Sequence, residues 1–397
     1  MRAPRTALPA TTPVRTGPPG GVEAASPVWL WHGSGPALTP RGLVPLQIEG
    51  AAPAVVTAHG PGLRIERGTT NFVTNPSFEV DLSGWSAVAG AAISRQTSGG
   101  GAFGDAYARV DVTSTGHGIR VTGSGNAAQG DTYAASMHLR AASPSDIGKT
   151  VQVYLDAPGG TYEIFAADHV LTEAWSRVVI AASWAQSGHT GWGLLARSAF
   201  PQGTFAFDMD GAQYEPGLST SYADGSLGTG YAWSATAHGS PSLRSGAVLR
   251  AGGAINARRI QIAFAPFWPA NDGRRHVVAE IVGLPSRYIR VAAETSGEWH
   301  LSISSGDATA TVAIPQAHSA GQLIALTATW DGGVGRLRVD ALESVAEGLR
   351  LPLLRTVTLG ATNDVAGDQL DGVLHGTALW APQQRGSQGQ AAPILRK

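Results

Sequence analysis

The residues of this chain that could carry out chemistry do not form a recognisable catalytic pattern. The sequence has no GxSxG nucleophile motif, no HExxH zinc motif and no GxxxxGK[ST] phosphate loop. Its eleven histidines are scattered without the short spacings typical of metal ligands, and cysteine is absent. Asp208 and Asp210 share one face of a predicted strand, but no longer run of alternating carboxylates of the kind glycosidases use is present. We therefore predict that the protein is not an enzyme.

The composition predicts many short strands and excludes several classes of partner. Charged residues make up 14% of the chain, and 52 of its 397 residues are glycine. The net charge of −1 gives no electrostatic footprint for nucleic acid or an anionic membrane. No segment approaches the ~20 apolar residues of a membrane span, and the early arginines precede no apolar core of a signal peptide. A role outside the cell would therefore need another route, such as release inside an assembled particle.

Two tracts show the period-two alternation of half-buried strands. In residues 71–217, Tyr133, Ala135, Met137 and Leu139 exemplify this pattern, and Gly- and Ser-rich turns separate about eight such runs. Residues 247–383 repeat the pattern. The sequence therefore predicts an all-β protein with two antiparallel β-sandwich (jelly-roll) domains.

The remaining segments are predicted to connect or anchor these domains. Residues 1–26 are rich in Pro, Thr, Ala and Gly, and predict an extended arm that is either disordered or ordered against a neighbouring subunit. Residues 27–70 contain apolar pieces too brief for a core of their own, so we interpret them as short strands that cap the next domain or dock on a partner. Residues 218–246 read as a linker, part of which packs on a domain surface, and 384–397 as a polar tail.

Four sequence runs in the first tract carry a resemblance to a known family. They are TNPSFEVDLSGW (74–85), DTYAASMHLR (131–140), EAWSRVVIAA (173–182) and FDMDGAQYEPG (207–217). Together they resemble the jelly-roll carbohydrate-binding modules of the xylan- and cellulose-binding type. In that family a structural Ca²⁺ commonly lies near the first and last strands, which implies Glu79 and Asp210 as its ligands here. The alternative is that both are surface or capping residues.

The later part of the chain carries two further resemblances. SYADGSLGTGYAWSATAHGSPSLR (221–244), taken with the preceding jelly roll, is similar to minor tail and fibre proteins of tailed phages. TATWDGG (327–333), GRLRVDA (335–341) and DGVLHGTALW (371–380) resemble a laminin-G/concanavalin A-like domain. The Asp-Gly turn usual after the WDGG strand of that family reads Asp340-Ala341 here, so we expect an altered turn.

Exposed aromatic rings would give such modules a platform for sugar rings. Tyr162, Trp184 and Trp192 are the candidates for carbohydrate binding, although a packing role for each stays open. The remaining tryptophans of the strand motifs are predicted to lie in the cores: Trp85, Trp175, Trp299 and Trp330.

The sequence therefore predicts a structural and adhesive virion protein of a tail, baseplate or fibre. Residues 1–70 would bind other virion subunits, and the two sandwiches would contact host-surface polysaccharide. Two alternatives stay open: a capsid decoration protein that stabilises the shell, and a non-viral glycan-binding accessory protein of the cell surface. A homo-oligomer would suit a fibre, although no coiled-coil heptads enforce one.

Overall fold

The chain folds into antiparallel β-structure, which confirms the predicted all-β class. The computed structural model describes residues 29–32, 47–49, 54–251, 258–284, 286–348, 350, 352, 354–361 and 369–380. The predicted arm (1–26) and tail (384–397) lie outside these ranges. Within them the one helical element is the short 3-10 turn Pro144–Asp146, and no helix there is long and apolar enough to cross a membrane.

The described residues form 28 strands. The first part of the chain contains β1 (Trp29–His32), β2 (Gln47–Glu49), β3 (Ala54–Thr57), β4 (Gly60–Ile65) and β5 (Thr69–Asn71). Next come β6 (Trp85–Val88), β7 (Ala92–Gln96), β8 (Tyr107–Val112), β9 (Gly118–Ser124), β10 (Thr132–Ala141), β11 (Thr150–Ala157), β12 (Glu163–Val170), β13 (Ser176–Ser183), β14 (Gly191–Arg197) and β15 (Phe205–Pro216). The last part contains β16 (Tyr231–Trp233), β17 (Ser242–Arg244), β18 (Val248–Ala251), β19 (Arg259–Pro266), β20 (His276–Val282), β21 (Arg287–Ala293), β22 (Glu298–Ser305), β23 (Thr309–Pro315), β24 (Ile324–Asp331), β25 (Val334–Val339), β26 (Leu342–Ala346), β27 (Thr356–Leu359) and β28 (Gly372–Trp380).

The first sandwich consists of two five-stranded antiparallel sheets. Sheet 1 has the order β12-β11-β14-β9-β6, and sheet 2 has the order β13-β10-β15-β8-β7. The two-residue period of a strand sends alternate side chains to opposite faces. On β11, Val151, Val153 and Leu155 lie in the core, so Tyr154 and Asp156 face outward. Sheet 1 therefore has an outer face of polar and aromatic residues supported by a packed apolar core.

The second sandwich also has two sheets and a separate core. Sheet 3 has the order β26-β25-β24-β19-β28-β4-β3, with β1 also paired to β28, and sheet 4 has the order β2-β18-β27-β20-β21-β22-β23. Trp299 and Trp330, both predicted core residues, are fully buried between these sheets with Phe264 and Trp268. Because each sandwich has its own apolar cluster, the two are distinct packing units.

Four short strands of the 27–70 segment, β1 to β4, complete the second sandwich. β28 pairs along one edge with β19, and along the other edge with β4 and β1, where Gly372 lies opposite Ile65 and Leu379 opposite Trp29. β3 extends the sheet beyond β4, and β2 pairs with β18 in sheet 4. The segment thus joins the sandwich that follows much later in the chain, because the edges of β28 and β18 supply the unpaired backbone groups it needs. The first sandwich is consequently an insertion within the second.

The connection after the first sandwich is itself folded. β5, β17 and β16 form a three-stranded antiparallel sheet in which Ser242 lies opposite both Asn71 and Trp233. Tyr222, in the same connection, packs against Phe103 of the first sandwich with ring centroids 4.1 Å apart. The two chain crossings between the sandwiches therefore lie side by side.

A buried ion pair fixes this junction. Nη1 of Arg244 donates to Oε2 of Glu66 at 2.7 Å, and the two side chains are 0% and 4% exposed. Nη2 of Arg244 donates to the carbonyl of Arg67, and the Arg67 guanidinium donates to the carbonyls of Pro216 and Leu218. Arg244 therefore links the two crossings directly, and removing one partner of such a buried pair typically costs about 3–5 kcal/mol.

The altered turn after β25 has a structural role. Asp340 lies in the left-handed backbone region with φ 51°, a conformation that aspartate tolerates better than most residues. Its Oδ1 accepts the backbone N–H of Ala325 at 2.9 Å, and its Oδ2 accepts the side-chain amide of Gln316 at 2.8 Å. The carboxylate therefore ties the hairpin to neighbouring elements.

The insertion predicts which fragments fold. A chain that begins at residue 247 lacks β1 to β4, which leaves the edges of β28 and β18 unpaired, so we expect it to aggregate or remain unfolded. Thr69 and Arg244 are paired neighbours, so replacing residues 70–243 by a short Gly/Ser linker, which keeps the Glu66–Arg244 pair, should yield a folded second sandwich. Circular dichroism and thermal melting of the two proteins test this. Cooperative melting of the fragment that begins at 247 would contradict it.

Candidate functional site

The outer face of sheet 1 brings together side chains from four strands. The backbone pairing aligns them in three rows across β9, β14, β11 and β12. The rows are Gly118, Arg197, Gln152 and Asp168; Arg120, Leu195, Tyr154 and Ala166; and Thr122, Gly193, Asp156 and Ile164. The first row borders the apolar part of the middle row with polar side chains, whereas the third row borders it with Gly193 and Ile164. At ~4.8 Å per strand, the middle row with Ser86 of β6 spans ~19 Å.

Asp156 anchors one side of this face. Its Oδ1 and Oδ2 accept from Nη2 of Arg120 at 2.8 and 3.0 Å, and its Oδ2 also accepts the hydroxyl of Tyr162 at 2.8 Å. Asp156 is 3% exposed, whereas Tyr162 is 57% exposed. Gly193 makes room for this pair, because a Cβ there would collide with both Asp156 and Arg120. The result is an exposed ring held by a buried carboxylate.

Arg197 and Tyr154 form the other side. The guanidinium carbon of Arg197 lies 4.3 Å from the centroid of the Tyr154 ring, and its Nη2 donates to the Tyr154 hydroxyl at 2.8 Å. In the same row, the Gln152 amide donates to Asp168 at 2.7 Å. Stacking of a guanidinium on an aromatic ring restricts both groups. Tyr154 is only 7% exposed beneath this guanidinium, so this side of the face presents fixed donors and no open ring.

The charges on this face balance. Arg120 and Arg197 are matched by Asp156 and Asp168, within a chain of net charge −1. Burial raises the pKa of the Tyr162 hydroxyl, and its hydrogen bond to Asp156 acts in the same direction, so the phenol stays protonated and donates. A ligand on this face meets both hydrogen-bond donors and hydrogen-bond acceptors, and the charges of the face sum to zero. This suits an uncharged, hydroxyl-rich molecule.

Two of the three predicted aromatic candidates are core residues. Trp184 and Trp192 are 1% and 2% exposed, whereas Tyr162 lies on the face described above. Trp184 packs against Phe165 with ring centroids 5.2 Å apart, and Trp192 packs 4.5 Å from the Tyr214 ring. Neither tryptophan can stack on a sugar, because both ring systems point into the sandwich. Trp184 and Trp192 therefore have the packing role that the sequence analysis left open.

Trp175, which was predicted to lie in the core, lies outside it. Trp85 is buried as predicted, but Trp175 is half-buried outside the core cluster. Its Nε1 donates to the carbonyl of Gly100 at 2.9 Å, and the Arg140 guanidinium lies 4.4 Å from its ring. Trp175 directly precedes β13 of sheet 2, so its hydrogen bond to Gly100 connects the 99–106 loop to that sheet.

Glu79 and Asp210 meet at this same loop. Oδ2 of Asp210 accepts the backbone N–H groups of Ala102 and Phe103 at 2.7 and 3.0 Å, and Oε1 of Glu79 accepts that of Ala106 at 3.0 Å. Burial raises the pKa of Asp210 to about 7, which the hydrogen bonds oppose and the nearby Glu79 charge supports. A buried carboxylate of this kind favours a proton or a cation beside it.

Carbonyl and carboxylate oxygen atoms lie close around Gly101. A Cβ built on Gly101 would lie 2.6 Å from the carbonyl of Ala106, 2.8 Å from that of Gly104 and 3.2 Å from Oδ2 of Asp210. The two carbonyl distances are shorter than real Cβ contacts, so a side chain at this position would require the backbone to shift. Across the described part of the chain no cluster of three or more His, Cys, Asp or Glu is present, so backbone carbonyls would supply most ligands. A calcium ion with Glu79 and Asp210 as its carboxylate ligands therefore stays a prediction.

The sequence contained part of the signal for the outer face of sheet 1. In TVQVYLDA, alternation places Gln152, Tyr154 and Asp156 on the side opposite the core. That pattern alone could have identified this strand as part of a candidate binding face. The partners Arg120 and Arg197 lie on β9 and β14, tens of residues away, and only the order of strands in the sheet brings them together.

Comparison with known proteins gives distant structural matches. No protein-family model matches the chain, and no curated protein matches it. The tandem CBM22-1–CBM22-2 domain of Paenibacillus barcinonensis Xyn10C aligns with a TM-score of 0.31 and 11% identity, over 79% of this chain and 98% of that one. The CBM22-1–GH10 modules of Clostridium thermocellum xylanase 10B, complexed with xylohexaose, align at 0.30 and 14%, over 38% of this chain and 29% of that one.

A phage protein is also among the matches. The enzymatically active domain of bacteriophage CBA120 tailspike protein 4 aligns with a TM-score of 0.30 and 10% identity, over 37% of this chain and 21% of that one. With TM-scores this low, these similarities do not indicate the ligand or the location of the chain.

Proposed function

We propose that the protein binds polysaccharide without catalysis, through the outer face of sheet 1. The observation that carries this proposal is the exposed Tyr162 ring, whose hydroxyl donates to the buried Asp156 carboxylate at 2.8 Å. Carbohydrate sites combine a flat apolar surface with a few fixed polar groups. The hydrogen bond holds the ring in place before a sugar arrives, which lowers the entropy lost on binding.

The carboxylates of this face support binding rather than hydrolysis. Asp156 is engaged by Arg120 and Tyr162, and Asp168 accepts from Gln152. A glycosidase needs one carboxyl group free to donate a proton and a second free to attack or to activate water. The buried Asp156 instead positions Arg120 and Tyr162, and the exposed Asp168 can accept a hydrogen bond from a sugar hydroxyl.

The proposed binding has a direct test. A glycan array would identify the ligand, and calorimetry would then compare variants on it. Tyr162→Ala should weaken binding at least tenfold, about 1.4 kcal/mol, because the platform is lost. Tyr162→Phe should give a smaller loss, since the ring remains but the bond to Asp156 does not.

Phe267→Ala provides the matched control. Phe267 is 39% exposed on the second sandwich, so this variant loses an exposed ring elsewhere and should bind as the wild type does. Equal affinities of the wild type and Tyr162→Ala, with unchanged melting temperatures, would refute the proposed site.

The biological setting that we propose is a virion tail, baseplate or fibre, where the sandwiches contact host-surface polysaccharide. The support for this is the resemblance of residues 221–244, with the preceding jelly roll, to phage tail proteins. Immuno-electron microscopy of particles released by cells that produce the chain should label the tail. Labelling of the capsid surface would favour a decoration protein, and labelling of cells alone would favour a cell-surface accessory protein.

A structural calcium ion at Glu79 and Asp210 would stabilise the 99–106 loop. Calcium should raise the melting temperature, and by more at about pH 8 than at about pH 5.5. The folded-state pKa of Asp210 is about 7, above the ~3.9 of an unfolded chain. Without calcium, the contribution of Asp210 to stability is therefore present below about pH 4 and is lost as the pH rises to about 7. Calcium then compensates the charge that the departing proton leaves.

Two substitutions separate this effect from general changes in stability. Asp210→Asn should abolish the calcium-dependent shift in melting temperature. Asp146→Asn removes another buried carboxylate of the same sandwich, 7% exposed in the 3-10 turn, and should retain the shift. Identical melting of the wild type in calcium and in EDTA at about pH 8 would rule out the calcium site.

A further inference from the structure

The outer face of sheet 4, in the second sandwich, carries a continuous row of polar side chains. The strand pairing places them opposite one another across six strands, at ~4.8 Å per strand and ~24 Å in all. In order from β18 to β23 they are Arg250, Thr358, Glu280, Arg290, Ser302 and Thr311. The neighbouring residues on these strands, such as Leu249, Ile289 and Leu301, point into the core.

An ion pair and a tyrosine occupy the centre of this row. Nε and Nη2 of Arg290 both donate to Oε1 of Glu280, at 2.8 and 2.6 Å. The side chains of Arg290 and Glu280 are 19% and 5% exposed. The guanidinium carbon of Arg290 also lies 4.5 Å from the centroid of the Tyr288 ring. A pair this buried contributes little net stability, because desolvation offsets the attraction.

The same combination of groups lies on the outer face of sheet 1. There, Arg197 stacks on Tyr154 at 4.3 Å and Arg120 pairs with the buried Asp156. The two sheets belong to separate sandwiches with different strand orders, so the fold does not impose the arrangement. In both, a buried carboxylate and a stacked guanidinium leave fixed donors and acceptors at a partly open surface.

We propose that the outer face of sheet 4 is a second glycan-binding face, which takes a further stretch of uncharged polysaccharide. The choice of ligand class rests on the function proposed for sheet 1. Tyr288 and Ser302 are half-buried and Thr311 is exposed, so a ring edge and two hydroxyl groups are within reach of a ligand. Thr358 and Glu280 are 0% and 3% exposed, so a ligand reaches this row only from β21 to β23. Sugar hydroxyls both donate and accept, which matches the serine, threonine and guanidinium groups of that part.

Two faces on one chain would act together on a long polymer. The Glu66–Arg244 pair and the three-stranded sheet fix the junction between the sandwiches, so binding at one face limits the positions of the other. When one polymer reaches both faces, the second contact is intramolecular, and avidity exceeds either single affinity. A short oligosaccharide would instead occupy the two faces independently.

Calorimetry with a short oligosaccharide of the polysaccharide identified on the array tests this inference, because it reports stoichiometry. We expect two molecules bound per wild-type chain and one per chain of the double variant Tyr288→Ala/Ser302→Ala, which leaves the Glu280–Arg290 pair intact. On the full polymer this variant should bind at least tenfold more weakly. The control Thr327→Ala/Thr329→Ala alters half-buried residues of β24 in sheet 3 and should keep both sites.

The outcomes separate this inference from the function proposed for sheet 1. One molecule per wild-type chain, lost in Tyr162→Ala and retained in Tyr288→Ala/Ser302→Ala, would overturn the second face and leave the first intact. One molecule per wild-type chain that is lost only in Tyr288→Ala/Ser302→Ala would support the second face and overturn the first. Two molecules per chain of the double variant would also overturn the second face.

Discussion

The architecture depends on the unpaired edge of β28. This strand lies next to β19 in sheet 3, and its other edge is paired by β4 and β1, from residues some 300 positions earlier. An edge left open would expose a row of backbone donors and acceptors. Because β1 and β4 cover this edge, the first sandwich lies in the chain between two parts of the second sandwich. Both ends of the first sandwich are therefore connected to the second.

Tethering at both ends changes what the junction can do. A single linker of glycine and serine would allow the sandwiches to reorient freely. Here two crossings lie together, and Glu66 from one crossing pairs with Arg244 from the other at 2.7 Å. A buried ion pair adds little net stability, but it penalises any arrangement that separates its partners. Restricted orientation is the property required when one ligand is to reach two surfaces.

The sequence predicted features that depend on neighbouring residues, and it missed those that depend on residues far apart in the chain. Local alternation predicted both sandwiches, and it could have placed Tyr154 and Asp156 on an outer face. It could not predict that β1 to β4 belong to the second sandwich, because pairing such as Trp29 with Leu379 leaves no local pattern. The tryptophans were difficult for a related reason. Trp192 enters the core because Gly123, on the neighbouring strand, leaves space where a Cβ would lie 2.5 Å from the indole, and Trp175 remains outside the core to hold a loop.

The outer faces of sheets 1 and 4 each contain a buried ion pair, although the chain has few charged residues. Only 14% of its residues are charged, yet Asp156 and Glu280 are both 3% exposed and each is held by an arginine. Apolar residues at these positions would pack equally well without the cost of desolvation. Stability alone therefore does not account for the pairs. A fixed carboxylate orients the groups around it, as Asp156 orients Tyr162, and groups oriented in advance lose less entropy when a ligand binds. Rigid polar groups beside tyrosine rings are thus consistent with the binding that we propose for these two faces.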